Sequence, residues 1–339
     1  MTAETAEKAV RFAFANSTRR VDLSFFGGEP LLEKDLLFHT IDYADIFRKD
    51  SKVKIPVRYF VTTNGLLLDE EFLHQARKRN LDIALSLDGY GQAHDMSRTL
   101  PEGGGTFDLI ASKFSLIQHF FPNIEILVTY TPKNAAYLTE GIEKLFLRGF
   151  KIFIIGPNYE EAWSDEALEQ IRREYRKLAD FYYRRFAGSE YIYISVFDSK
   201  IAAHTKPQAA ICSCCDKNDG EIAVAPSGNL YPCLRFVKED SDNSMVIGTL
   251  DTGIDLKSRA KIMLESAREW PDCTDCAYHG RCFHYCGAVN FKVTGLFNRP
   301  PTVLCLQEQC SIETADEVAS RLYKEKNPFF LNRFYPTSR

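Results

Sequence analysis

Several features are missing from this 339-residue sequence, and each absence narrows its class. No apolar run approaches the eighteen or so residues of a bilayer-spanning helix, so we expect no membrane partner. The net charge of −4 gives no electrostatic case for nucleic acid, and we expect none as a partner. Residues 1–14 are polar and helix-like, unlike a signal peptide, which predicts a cytoplasmic protein.

Cysteine is absent from the first 211 residues and concentrated in the stretch that follows. The ten cysteines are Cys212, Cys214, Cys215, Cys233, Cys273, Cys276, Cys282, Cys286, Cys305 and Cys310. Thiolates are soft ligands for zinc and iron–sulfur clusters, and a Cys-x2-Cys pair lets one turn offer two sulfurs. A disulfide framework needs an oxidising compartment and usually a small secreted domain. The cysteines therefore predict metal ligation.

Short apolar segments alternate with helical patterns before the cysteines begin. The predicted strands are 21–26, 57–61, 83–87, 124–129 and 151–155, and the predicted helices are 2–14, 33–48, 69–79, 107–120, 135–148 and 164–186. This alternation favours a parallel α/β sheet, open or rolled into a barrel. Ligands bind at the carboxyl ends of such strands, so the loops that follow them are the candidate site.

Those loops carry motifs that resemble the radical S-adenosylmethionine (radical SAM) enzymes with a C-terminal SPASM domain. The motifs are Gly27-Gly28-Glu29-Pro30, Thr62-Thr63-Asn64-Gly65, Ser86-Leu87-Asp88-Gly89, Cys215-x12-Gly228-x4-Cys233 and Cys273-x2-Cys276-x5-Cys282-x3-Cys286, closed by Cys305. The resemblance implies an α/β fold: a partial parallel (β/α)6 TIM-like barrel whose first strand is missing, plus a small Cys-rich SPASM iron–sulfur domain.

The same resemblance implies the domain boundaries. We expect a truncated radical SAM core over 1–190 and a linker over 191–210. An auxiliary-cluster domain would span 211–311, followed by a C-terminal helix and tail over 312–339.

The resemblance also implies which residues bind SAM. The predicted cofactor-binding residues are Gly27, Gly28, Glu29, Pro30, Thr63, Asn64, Ser86, Asp88 and Arg98. Gly27, Gly28 and Glu29 would meet the SAM amino group, since glycine permits close backbone approach and a carboxylate complements an ammonium. Taken alone, Gly-Gly-Glu-Pro is equally typical of an ordinary strand-to-helix turn with proline at a helix start.

Two auxiliary [4Fe–4S] clusters follow from the family pattern. The first would be held by Cys233 and Cys286 with two of Cys212, Cys214 and Cys215, of which the x2 spacing favours Cys212 and Cys215. The second would be held by Cys273, Cys276, Cys282 and Cys305. Cys310 and one early cysteine remain outside both sets.

Two departures from the family pattern stand out. The Cys-x3-Cys-x2-Cys motif of the SAM-cleaving cluster is absent, together with the strand that would precede residue 1. An internal start, a truncation and a cluster-less relative all explain this gap. We favour truncation, so SAM with a third [4Fe–4S] cluster is expected only if the missing segment is present. No catalytic residue is assigned.

The second departure is Leu234, which replaces the aspartate that follows the matching cysteine in sulfatase-maturing relatives. The resemblance then favours a maturase that forms thioether or carbon–carbon crosslinks in a ribosomally made peptide, served by a flavodoxin or ferredoxin. The alternatives are a non-catalytic iron–sulfur scaffold that binds peptides and a zinc-bound module.

Overall fold

The structure, a computed structural model, describes residues 1–51, 55–205, 221–237, 243–283 and 286–336. The chain divides into two units. Unit 1 comprises Met1–Ala84, Cys214–Arg268 and Cys286–Ala288, and unit 2 comprises Leu85–Ser213, Glu269–Tyr285 and Val289–Arg339. The boundaries predicted for the domains differ from this division and stay a prediction.

A six-stranded parallel sheet follows chain order, β1-β2-β3-β4-β5-β6. Its strands are β1 Val21–Phe25, β2 Val57–Thr63, β3 Leu81–Ser86, β4 Glu125–Tyr130, β5 Ile152–Pro157 and β6 Tyr193–Ile194. In β1 and β2, Val21 lies opposite Val57. Sequential parallel neighbours need a crossover between each pair, and the helices supply it. The predicted α/β fold class is confirmed.

The helices lie mostly where the periodicity places them. They are α1 Ala3–Ala15, α2 Lys34–Asp50, α3 Glu70–Lys78, α4 Gln92–Asp95, α5 Phe107–Ala111, α6 Phe114–Phe120, α7 Leu138–Leu147, α8 Asp165–Ala187, α9 Ser195–Thr205, α10 Leu256–Ser266, α11 Pro271–Thr274, α12 Gly287–Thr294, α13 Thr302–Lys324 and α14 Pro328–Phe334. Side chains of Thr2, Asp69 and Ser164 cap α1, α3 and α8 by accepting a backbone N–H. The cysteine-bearing α11 and α13 both begin beside a proline.

Three sequence-based details need correction. The helix predicted over 107–120 is two helices, because Ser112 donates its hydroxyl to the Leu109 carbonyl at the break. The strand β6 and the helix α9 lie between residues 191 and 210, so the sheet has six strands where five were expected. The strand β6 is two residues long, too short for periodicity to detect. The C-terminal helix, expected to begin at residue 312, begins ten residues earlier, at Thr302.

The described residues of the Cys-rich part form two short hairpins. Around the turn Pro226-Ser227-Gly228, β7 (Ala223–Val224) pairs antiparallel with β8 (Leu230–Tyr231). Gly228 sits at φ +92°, where a side chain would be strained. A second pair, β9 (Gly248–Thr249) and β10 (Gly253–Ile254), follows in unit 1. Within the described ranges, no helix is both long and apolar enough to cross a membrane.

Candidate functional site

In unit 1, the Glu29 carboxylate joins the turn after β1 to the turn after β2. Its Oε1 accepts from the Leu31 N–H at 3.0 Å and from the Thr63 hydroxyl at 2.8 Å. Its Oε2 accepts from the Asn64 N–H at 2.8 Å. Thr63 is buried, whereas Glu29 is half-buried. The structure therefore brings three of the predicted SAM residues into one network.

This network leaves Glu29 some capacity for a ligand. A carboxylate offers about four acceptor positions, and the described residues occupy three of them. The remaining position, on Oε2, can accept from an ammonium. Glu29 also caps the short 3-10 helix Pro30–Glu33, with Pro30 at its start. Glu29 thus organises the turn and can still bind a cation.

Gly27 and Gly28 are exposed at the end of β1, and nothing around them requires glycine. A Cβ built on either residue would meet no other described atom within 4 Å. Neither residue has a positive φ that would favour glycine. Glycine at such an open strand end suits the close approach of a ligand to the backbone. Their contact with SAM stays a prediction.

In unit 2, Asp88 is 7% exposed and lies at the centre of a second network. Its Oδ2 accepts from Arg98 Nε at 2.7 Å and from the Ser97 hydroxyl at 3.0 Å. Its Oδ1 accepts from Arg98 Nη2 at 3.1 Å and from the Thr129 N–H at 3.0 Å. All four acceptor positions of this carboxylate are engaged. Asp88 and Arg98 are brought together, and their role toward SAM stays a prediction.

His94 closes this second network as a neutral imidazole. Its Nδ1 accepts from the Asp88 N–H at 3.1 Å, so the proton is on Nε2, which faces the Thr106 hydroxyl at 2.9 Å. Burial lowers the pKa of His94 to about 4, and Arg98 adds to the effect while Asp88 and Asp95 oppose it. The buried Ser86 precedes this network at the end of β3, and its predicted contact is untested.

Four predicted ligands of the second auxiliary cluster line one cavity of about 40 Å³ in unit 2. The lining of the cavity includes Cys273, Cys276, Cys282, Cys305, His279 and Glu308. Consecutive turns present the first three cysteines, since the Cys276 N–H donates to the Cys273 carbonyl and the Cys282 N–H to the Tyr278 carbonyl. Cys305 comes from the first turn of α13. We name this group the four-cysteine cavity.

Burial favours the protonated form of two thiols of the four-cysteine cavity, those of Cys273 and Cys305. Burial, and to a smaller extent Cys273 and Cys276, raise the pKa of the Cys305 thiol to about 11. The pKa of Cys273 is raised by burial and then by Cys276. Metal binding must therefore displace these protons. None of the seven described cysteines forms a disulfide.

The four thiols lie around the cavity. Among the described residues, no three His, Cys, Asp or Glu side chains converge on a point that could hold one metal ion. Four cysteines arranged around a cavity suit a [4Fe–4S] cluster, in which separate irons are each held by their own thiolate. The residues of this cavity therefore fit the cofactor that the resemblance implies.

The first auxiliary site is only partly described. Cys233 is buried and follows β8, while Cys286 immediately precedes α12, and both belong to unit 1. The remaining candidates, Cys212, Cys214 and Cys215, lie outside the described residues. Cys310, left out of both ligand sets, is 3% exposed on α13.

Two charged residues beside the four-cysteine cavity were not predicted from the sequence. Lys200, on α9, is 1% exposed and pairs with Glu308 on α13. The available signal was the position of Glu308, three residues after Cys305, which places both on one face of a helix. Lys200 gave no such signal, because a lone lysine in a helical segment is normally exposed.

The chain is a homologue of anaerobic sulfatase-maturating enzymes and other radical SAM proteins, and its fold matches that of SPASM-type maturases. No protein-family model matches the chain. A cysteine-type anaerobic sulfatase-maturating enzyme of Clostridium novyi (strain NT) is 23% identical over 248 residues, or 69% of this chain and 64% of that protein. The alignments with such enzymes thus span just under two thirds of the relatives' length.

Solved structures share the fold at low sequence identity. Native anSMEcpe with bound AdoMet and Cp18Cys peptide matches with a TM-score of 0.78 and 19% identity, covering 97% of this chain and 91% of that chain. Streptococcus suis SuiB bound to its precursor peptide SuiA matches with a TM-score of 0.56 and 15% identity, covering 90% of this chain and 69% of that chain. At these identities the likeness establishes the fold alone.

Proposed function

We propose that this chain is the main part of a radical SAM peptide maturase that installs a thioether or carbon–carbon crosslink in a ribosomally made peptide. The observation that carries the proposal is the four-cysteine cavity, in a fold whose strand ends hold the Glu29 and Asp88 networks. Peptides bound in anSMEcpe and SuiB support a peptide as the substrate class.

The protein's own residues prepare the cofactors' surroundings. The remaining acceptor position of Glu29 would orient the SAM ammonium, and Gly27 and Gly28 would leave room for the ligand. The four-cysteine cavity would hold one auxiliary [4Fe–4S] cluster, and Cys233 with Cys286 would contribute to the other. SAM on its own cluster would supply the radical that takes hydrogen from the peptide, and the auxiliary clusters would accept an electron or ligate a substrate thiolate.

The 339 residues contain no cysteine before Cys212 and so do not provide the three thiolates of a SAM-cleaving cluster. We therefore propose that they do not cleave SAM by themselves. A flavodoxin or ferredoxin would deliver the reducing electron to the active form. Because such clusters need a reducing environment, we propose a cytoplasmic location.

Leu234 separates this proposal from sulfatase maturation, the activity named for the Clostridium relatives. Its backbone N–H contacts the Glu221 carboxylate at 3.3 Å, and its side chain cannot act as a base. We therefore favour a crosslink over oxidation of a substrate cysteine to an aldehyde.

Anaerobic iron and sulfide analysis tests the cofactor part of the proposal. The chain is compared with a version extended upstream to include three further cysteines, here called the extended protein. We expect about eight irons in the chain, as two [4Fe–4S] clusters require, and about four more in the extended protein. Zinc in place of iron would favour the zinc module, and an extension that adds no iron would favour the scaffold.

Incubation of the reduced extended protein with SAM and a candidate peptide tests the reaction. We expect SAM cleavage and a crosslinked peptide that contains no aldehyde. Failure of the fully loaded extended protein to cleave SAM contradicts the catalytic assignment, and an aldehyde product would point to sulfatase-type maturation.

A further inference from the structure

A buried ion pair lies against the four-cysteine cavity but belongs to neither predicted ligand set. Lys200 Nζ donates to Glu308 Oε2 at 2.6 Å and to the Arg281 carbonyl at 3.0 Å. Lys200 is 1% exposed and Glu308 is 6% exposed. Desolvating two charges in this way is unfavourable, and a well-packed apolar pair is often as stable or more so. Stability alone is therefore a weak reason for the pair.

The pair holds the backbone on both sides of Cys282. Lys200 Nζ binds the carbonyl of the preceding residue, Arg281, while Glu308 Oε2 accepts the N–H of the following residue, Phe283. The Arg281 guanidinium returns a hydrogen bond to the Lys200 carbonyl at 3.1 Å. A direct bond on each side leaves the Cys282 peptide unit little freedom.

The charges of the pair also lie beside the four-cysteine cavity, where thiolates bound to a cluster would concentrate negative charge. Glu308 lines the cavity together with the four cysteines. Burial lowers the pKa of Lys200, whereas the Glu308 carboxylate and, more weakly, the Cys282 thiol favour its charged form. The Nζ is 3.3 Å from the Phe283 ring centroid, where the π face provides a further contact for a cation. The cation is thereby held near Cys282.

We propose that Lys200 and Glu308 act as a charged clamp that positions Cys282 and sets the reduction potential of the centre in the four-cysteine cavity. This inference rests on the auxiliary cluster of the proposed function. Reduction adds one electron, taken from an external electron donor, to a centre already surrounded by four thiolates. The Lys200 ammonium stabilises that added charge and raises the potential, while the Glu308 carboxylate opposes it.

Redox titration monitored by electron paramagnetic resonance tests the clamp on the anaerobically reconstituted full chain. The signal lost in Cys305→Ala but retained in Cys310→Ala identifies the centre. We expect Lys200→Met to lower its midpoint potential and Glu308→Gln to raise it. Each shift should change the ratio of reduced to oxidised centre about tenfold, or about 59 mV for a one-electron couple. Lys144→Met, which removes an exposed pair with Glu140, should leave the potential unchanged.

Opposite shifts from opposite charge changes distinguish the clamp from a merely structural role, because packing damage has no reason to follow the sign of the charge. Iron bound normally with unchanged potentials, or with both potentials moved in the same direction, overturns the proposal. If Lys200→Met does not fold, the result for Glu308→Gln tests the proposal alone, because only a rise in its midpoint potential supports the clamp. A wild-type chain without iron and sulfide instead contradicts the auxiliary cluster itself.

Discussion

Glu29 and Asp88 are both carboxylates that follow a parallel strand, yet their surroundings differ. Glu29, in unit 1, is half-buried and has three of about four acceptor positions occupied by described residues. Asp88, in unit 2, is 7% exposed and has all four occupied, two of them by Arg98. The resemblance assigns both residues to SAM, but the contacts suit Glu29 to ligand binding and Asp88 to holding the loop.

The difference lies in the source of the hydrogen-bond donors. Two of the three described donors to Glu29 are backbone N–H groups, and no cationic side chain of the described residues pairs with it. Asp88 is neutralised by the Arg98 guanidinium, which binds it bidentately. A carboxylate without a paired cation retains attraction for a ligand ammonium, whereas a paired one has little left.

The largest expected effect comes from removing each carboxylate in turn. Asp88→Ala leaves Arg98 without its partner and the Thr129 N–H without an acceptor, so we expect it to destabilise the protein by about 3–5 kcal/mol. Glu29→Ala loses hydrogen bonds at a half-exposed site and should destabilise it by about 1–3 kcal/mol. Urea unfolding of the two variants, prepared side by side, measures the difference.

For SAM affinity we expect the reverse of the order given for stability. In the extended protein, Glu29→Ala should weaken SAM binding more than Asp88→Ala does, once both are shown to be folded and loaded with iron. Equal losses of stability, or a greater loss of SAM affinity in Asp88→Ala, would contradict the different roles inferred for the two carboxylates.

A second prediction concerns pH and depends on His94. Its pKa is about 4 in the folded protein against an ordinary value near 6.5, so folding favours the neutral imidazole. The resulting stabilisation is complete above pH 6.5 or so and is lost as the pH falls through 4, by about 3 kcal/mol in total. Unit 1 has no counterpart of this group in the Glu29 network as described.

Urea midpoints measured between pH 7 and pH 4 test this expectation. His94→Asn retains an acceptor for the Asp88 N–H but does not titrate in this range, so its stability should fall less steeply than that of the wild type. If the stabilities of the wild type and of His94→Asn fall equally steeply with pH, then His94 does not contribute to the acid sensitivity of unit 2.

The sequence predicted the strands and helices because their apolar periods are long and their ends carry strong signals. Asp69 and Ser164 stand where α3 and α8 require a cap, and proline precedes or begins several helices. It missed β6, whose two residues, Tyr193 and Ile194, are too few to show a period. It also missed the break at Ser112, which depends on a local side-chain hydrogen bond.

The family pattern implied that Cys273, Cys276, Cys282 and Cys305 belong together, and the structure places all four around one cavity, although their role as ligands stays a prediction. Lys200 could not be predicted in the same way. It meets Glu308 across 108 positions of sequence, and only the packing of α9 with α13 brings the two together. Contacts of that kind carry no local pattern.

The smallest expected difference in stability is between alanine substitutions at two glycines, one near each network. A Cβ on Gly105 would lie 2.0 Å from Asp95 Oδ2, whose carboxylate accepts the N–H groups of Thr106 and Phe107. Gly105→Ala should therefore destabilise unit 2 by about 1–3 kcal/mol. Gly28→Ala meets nothing within 4 Å and should change stability by no more than about 0.5 kcal/mol. Thermal unfolding of both variants provides the measurement.

The same substitution at Gly28 should nevertheless weaken SAM binding by the extended protein, because the added methyl group occupies space that only a ligand would use. Gly253→Ala is a poor control despite its similarly open surroundings, since Gly253 has φ +78° and the change would strain the backbone. Gly280 has neither a positive φ nor a neighbour within 4 Å, so Gly280→Ala is the matched control and should leave SAM affinity intact. If Gly28→Ala and Gly280→Ala bind SAM equally well, then the open turn at Gly28 serves the fold of unit 1 and not SAM binding. The assignment of the adjacent Glu29 to the SAM ammonium would then lose the support of this neighbouring residue.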